Sequence, residues 1–173
     1  MKYLNCLNMR ALGKGLLIAL FLILQAVSGV SAQKADAVLV IKSKSRLYLM
    51  SKGERIASFH VTFGQNPKGH KQKQGDERTP EGHYWLDYKN QNSKFHKSIH
   101  ISYPNAKDRA NAKRLGVNPG GDIMIHGQKN GWGWASPIVQ FFPWTRGCIA
   151  LSNMDMDQVW EAVDPGTPIE IRP

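Results

Sequence analysis

The sequence predicts a mainly β fold with two short helices, and three observations carry that expectation. Short apolar or alternating runs recur between clusters of Ser, Lys, Gly, Asn and Pro, the pattern of half-buried strands separated by turns. Only two stretches combine helix-forming residues with recognisable start and stop signals. A single thiol, Cys148, lies beyond the N-terminal apolar segment, so no disulfide framework can hold the domain and side-chain packing must.

The N-terminal segment is set apart first. Lys2, Arg10 and Lys14 give a positive start, residues 15–27 form an apolar run broken only by Gln25, and Val30-Ser31-Ala32 offers a small-residue exit. Residues 1–32 therefore read as a secretory signal peptide. The alternative, an uncleaved anchor, is disfavoured because a span needs about 20 apolar residues. Cys6 precedes the apolar run and leaves with it, and no stable membrane insertion is expected after cleavage. Residues 37–172 then form one domain.

Within that domain, residues 38–42, 46–50 and 55–63 read as three strands split by Ser43-Lys44-Ser45 and Ser51-Lys52-Gly53. They form a meander of hairpins with Leu47 and Leu49 on one face. Residues 64–82 follow as a long loop rich in Gly, Pro, Lys and Gln, the kind of loop that is functional or disordered. Its Lys68, Lys71, Lys73 and Arg78 read as a solvated face. Strands are expected again over residues 83–88 and 98–103. Residues 105–115 read as a helix capped by Asn105 and stopped by Gly116. The apolar run Ile123-Met124-Ile125 forms a strand that delivers His126 at its end. A second helix runs from residue 153 or 154 to 163, capped by Ser152 or Asn153, before Asp164-Pro165-Gly166. Residues 168–171 close the domain as a strand.

Charge and motif narrow the function. Loss of residues 1–32 removes three Lys/Arg and no acid, lowering the formal charge from +10 to +7. A basic exported domain suits an anionic partner, but export and the absence of a recognition motif count against nucleic acid, and none is expected. His60, His70, His83, His96 and His100 have no metal-ligand spacing, so no metal is expected. An unpaired thiol outside the cytoplasm reads as an intermolecular bridge or a nucleophile, and a thiol attacks as thiolate, aided by imidazole or backbone dipoles. Cys148 is the candidate nucleophile and His126 the candidate general base and acid. Gly147 permits a tight turn that would aim the N–H groups of Arg146, Gly147 and Cys148 at an oxyanion. Trp132, Trp134, Trp144, Phe141 and Phe142 between them read either as a groove or lid, or as plain core.

His126-Gly127 after an apolar strand, then Thr145-x-Gly147-Cys148-Ile149 ahead of Asn153, resembles the YkuD-type L,D-transpeptidase family. Gly75-Asp76-x-x-Thr79-Pro80-x-Gly82 and Gly166-Thr167-Pro168-Ile169 extend the resemblance over the whole mature chain. It implies an L,D-transpeptidase-like mixed β-sandwich with two short helices, acting in the periplasm or cell envelope without metal or cofactor. Its partners would be peptidoglycan stem peptides. Cys148 would be the nucleophile and His126 the proton donor and acceptor, with Arg146 and Gly147 at the oxyanion and Gly127 and Thr145 in support. Cys148 would attack a tetrapeptide stem at the bond between meso-diaminopimelate and D-alanine; an amine would then resolve the acyl-enzyme into a cross-link.

Two departures qualify this. Arg146 stands where the commonest family pattern has His, and would offer the thiol a positive charge instead of an imidazole. Ala150 stands where that pattern has Arg. Both resemble a branch carrying Trp-Thr-x-Gly-Cys-Ile-Ala, here Trp144 to Ala150, and some relatives lacking that Arg are associated with hydrolysis of peptidoglycan links. A cysteine peptidase or amidase of the same fold is thus a second reading. A non-catalytic wall-binding module is a third.

Overall fold

The computed structural model describes residues 33–173; the expected signal peptide, with Cys6, lies outside the described residues. Alternation builds the first hairpins. In β1 (Ala37–Ile41) Val38 and Val40 are buried while their neighbours are half-exposed. β2 (Arg46–Ser51) runs antiparallel and sets Leu49 against Val38 and Leu47 against Val40. Lys52 and Gly53, both at positive φ, then turn the chain into β3 (Glu54–His60). Two adjacent positive-φ residues match the right-handed twist of the strands they join.

The remaining strands are β4 (Gly82–Asn90), β5 (Ser98–Ile101), β6 (Met124–His126), β7 (Ile149–Ala150) and β8 (Thr167–Arg172). One mixed sheet holds all eight in the order β3-β2-β1-β8-β4-β5-β6-β7. The last strand enters its middle, parallel to β1 and antiparallel to β4. Beyond β3, Thr62 pairs with Ala150 of β7 and Gly64 with Thr145, so the two edges of the sheet meet. The sheet is therefore curled on itself, which satisfies edges that would otherwise offer unpaired backbone groups. Leu86, Ile99, Ile101, Ile125 and Ile149 are fully buried in the core.

Three short helices complete the domain, one more than the sequence predicts. α1 (Ala106–Leu115) begins with a reciprocal capping box between Asn105 and Asp108 and ends at Gly116 in the left-handed region. α2 (Ser136–Val139) is a single turn, too short to show a periodic pattern. α3 (Asn153–Ala162) is capped by Ser152 and buries Met156, Val159 and Ala162 in the core. Two expected strands stop early, at His60 and Ile101. The two-residue β7 is below the length at which alternation is readable.

Candidate active site

The site grows from the pairing of β6 and β7. Their parallel register sets Ile125 beside Ile149 and His126 beside Ala150, which places Cys148 abreast of Met124. Side chains alternate along strands, so Ile125 and Ile149 enter the core while Met124, His126 and Cys148 share the opposite face. Residues separated by twenty-two positions in sequence thus become diagonal neighbours. Both line a cavity of about 670 Å³ walled by Asn92, Ser93, Phe95, Trp144 and Arg146.

His126 is only 4% exposed. Its Nδ1 lies 2.7 Å from the Gly127 carbonyl oxygen. A carbonyl can only accept, so that contact assigns the proton to Nδ1 and leaves the Nε2 lone pair for chemistry. The Phe95 ring lies 4.7 Å from the imidazole, centroid to centroid, and the Trp144 ring 5.7 Å in an edge arrangement. Burial lowers the His126 pKa from its ordinary value, while the bond to Gly127 opposes that shift.

At Cys148, the Met124 N–H donates to Sγ at 3.4 Å, and Sγ lies 3.7 Å from the Asp122 carbonyl oxygen. Burial pushes the thiol pKa up; the Met124 N–H and the charge of Lys71 pull it down, and Asp122 adds to the upward shift. Lys71 is thus a buried cation that favours the thiolate, and Arg146, the cation the sequence pointed to, is an exposed side chain on the cavity wall. Burial thus works against the charged form of each group, thiolate and imidazolium.

The turn before Cys148 is locked by Thr145. Its hydroxyl donates to the Cys148 carbonyl at 2.7 Å and accepts from the Gly147 N–H at 3.2 Å. That engagement takes the Gly147 N–H away from the oxyanion position expected of it. Neither the Arg146 nor the Cys148 N–H has a protein acceptor among the described residues. Gly147 has φ +120°, and a Cβ there would come within 2.7 Å of the Arg78 carbonyl oxygen. Only glycine fits so close an approach.

In the loop over residues 64–82, Lys68 and Lys73 are exposed as its composition suggests and Arg78 is half-buried, but Lys71 is not on the solvated face. Lys71 is 3% exposed and bonds Asp76 at 2.8 Å. Asp76 also accepts from the N–H groups of Gln72, Lys73 and Arg78. One carboxylate therefore organises the loop, and the buried Lys71 meets the requirement that a buried charge be paired.

The other conspicuous residues are placed as follows. Trp132 and Trp134 stack with centroids 6.3 Å apart and, with Phe141 and Phe142, are exposed, so they are not core. Trp144 lines the cavity. His100 pairs with Asp87 at 2.6 Å and stacks on Tyr88, a partnered histidine and not a site residue. No cluster of three or more His, Cys, Asp or Glu could hold a metal among the described residues. Sequence reasoning missed Phe95, which sits in an irregular connection with no periodic signal, and missed the buried state of Lys71. The latter was legible only in Asp76 five positions later, flanked by Gly75.

Similarity to known proteins gives the family and the fold. The sequence model of the YkuD family, L,D-transpeptidase catalytic domain, matches residues 35–171. The "Putative L,D-transpeptidase YafK" of Escherichia coli (strain K12) is 35% identical over 111 residues, 62% of this chain; the match spans 37% of that relative's length. Among solved structures, the helical cell shape determining protein Pgp2 of Campylobacter jejuni superposes with TM-score 0.59 and 26% identity, over 88% of this chain and 54% of that one. The L,D-transpeptidase of Xylanimonas cellulosilytica shares the fold at TM-score 0.53 and 14% identity, over 80% of this chain and 61% of that one.

Proposed function

Since this chain belongs to the YkuD family of L,D-transpeptidase catalytic domains, we propose that it is an exported cysteine acyltransferase acting on peptidoglycan stem peptides. The observation that carries this reading is the placement of Cys148 and His126 on one sheet face, opening on one cavity. The N-terminal segment supports export to the periplasm or cell envelope. Pgp2 is a cell-shape determinant by name, and remodelling of stem peptides would give this protein a role of the same kind.

The reaction starts from a neutral pair. As the Cys148 sulfur attacks the amide carbon of the tetrapeptide donor, its proton passes to Nε2 of His126. The tetrahedral oxyanion is met by the N–H groups of Arg146 and Cys148. The C–N bond then breaks and the leaving D-alanine amine takes the proton from His126. A second amine attacks the thioester, loses a proton to His126 and releases the thiolate, which is reprotonated. Phe95 and Trp144 keep the imidazole out of water, so it stays unprotonated at neutral pH and ready as a base.

The hydrolytic reading has its own observation. Ala150 is fully buried and its N–H and C=O are both paired with Thr62, so the place where the commonest family pattern carries Arg holds no cation. In this reading water resolves the acyl-enzyme in place of an amine. Intact-mass spectrometry with purified disaccharide-tetrapeptide separates the readings. An adduct on Cys148 that resolves into cross-linked dimer establishes transpeptidation, and trimmed stem without dimer establishes hydrolysis. If folded protein forms neither adduct nor product, this donor is wrong and a wall-binding role gains support. Cys148→Ala must abolish both products.

A further inference from the structure

We infer that Asn153 is the positioning residue of the His126 imidazole, acting through the peptide group that joins Gly127 to Gln128. The inference rests on the catalytic reading of His126 above. The two ends of this one peptide unit face two different side chains. Its carbonyl, on Gly127, takes the Nδ1–H of His126 at 2.7 Å. Its N–H, on Gln128, donates to Oδ1 of Asn153 at 2.8 Å. Drawing on the N–H end polarises the amide and strengthens its oxygen as an acceptor. The Asn153 amide thereby sets both the plane of the peptide and the tautomer of the histidine, without touching the ring.

Four features show that this arrangement is built. A Cβ on Gly127 would lie 2.7 Å from Asn153 Oδ1 and 2.9 Å from the Cβ of His96, so the strand turn can approach the amide only as glycine. A Cβ on Gly133 would lie 2.7 Å from Asn153 Nδ2, which leaves the amide clamped between two glycines. Asn153 is also the first residue of α3, but its side chain is not spent on the helix. Ser152 caps α3, its hydroxyl accepting from the Asp155 N–H at 3.1 Å. The Gln128 side chain, itself buried, anchors the residue that carries this N–H by donating to the Leu151 carbonyl at 2.8 Å.

Substitution separates positioning from packing. Asn153→Leu keeps the volume between the glycines and removes the acceptor; Asn153→Asp keeps the acceptor. Nitrogen NMR of His126 in substrate-free protein reads the tautomer directly. The expected result is loss of the Nδ1–H tautomer in Asn153→Leu and its retention in Asn153→Asp. With the disaccharide-tetrapeptide, kcat should fall about 100-fold in the Leu variant, as for a misplaced catalytic group. KM should stay within about twofold, and the Asp variant should recover most of the rate. If Asn153→Leu does not fold, Asn153→Ala takes its place. An unchanged tautomer in a folded acceptor-less variant overturns the inference, as does equal loss of rate in the Leu and Asp variants. Because the tautomer is measured without substrate, it remains decisive if no peptidoglycan product is ever found.

Discussion

Lys71 Nζ and Asp76 Oδ1 lie 2.8 Å apart, both nearly sealed from solvent, in the loop whose Arg78 carbonyl packs against Gly147, next to the candidate nucleophile. The pair joins loop order to thiol chemistry. Lys71→Met should destabilise the fold by about 3 kcal/mol, the cost of leaving a buried carboxylate without its cation. It should also raise the Cys148 pKa, because Lys71 is a charge that holds it down. Chemical denaturation and iodoacetamide kinetics check the two effects. An unchanged alkylation profile in folded protein would show that Lys71 acts on the loop alone.

The same carboxylate gives acid sensitivity. Burial alone would raise the Asp76 pKa, but the Lys71 bond and three backbone N–H groups outweigh it and hold the value below the ordinary 3.8. The unfolded chain therefore binds the proton first. Asp76 contributes stability in full above pH 3.8, and that contribution drains away as pH falls through the folded value. Asp76→Asn should flatten the acid limb of stability against pH. A limb as steep as that of the parent protein would rule Asp76 out as its source.

A neutral pairing of Cys148 and His126 predicts how the thiol titrates. Burial raises Cys148 and lowers His126, and so works against proton transfer between them at rest. Alkylation of Cys148 should climb through alkaline pH without a plateau near neutrality. Turnover, which needs unprotonated His126, should hold until pH drops below 6.5. A thiolate plateau below pH 7 would mean a preformed ion pair instead.

Phe95 shields the imidazole, and its removal should be readable at His126. Phe95→Ala opens the ring to water, so the His126 pKa should rise toward 6.5, because burial is the main cause of its depression. Proton NMR titration of the histidine measures this. A value that does not move would transfer the shielding to Trp144.

Gly64 tests the contact between loop and turn. A Cβ there would fall 1.9 Å from the Glu77 carbonyl oxygen and 2.9 Å from the Gly147 backbone nitrogen. Both neighbours are backbone and cannot rotate away. Gly64→Ala should cost about 3 kcal/mol, the upper range of overpacking, and should displace the turn that carries Cys148. Thermal unfolding beside alkylation rate gives the answer; parent-like values in both would show that the loop can shift freely.

What the sequence by itself determined is local chemistry and local geometry. Alternation of apolar residues marks the first hairpins, Asn105 and Gly116 mark both ends of α1, and the apolar run before His126 marks its strand. Thr145, Gly147 and Cys148 mark the candidate reactive turn by their residue types. The tertiary structure alone decided what depends on partners distant in sequence. Closure of the sheet through Thr62 and Ala150 requires two edges separated by most of the domain. Phe95 gains its role only when β5 is laid beside β6. Lys71 is a surface residue by type and becomes a buried one because Asp76 compensates its charge. The Gly147 N–H looks free for an oxyanion until the Thr145 hydroxyl folds back onto it. Periodicity reports which way a side chain points; only packing reports what it meets.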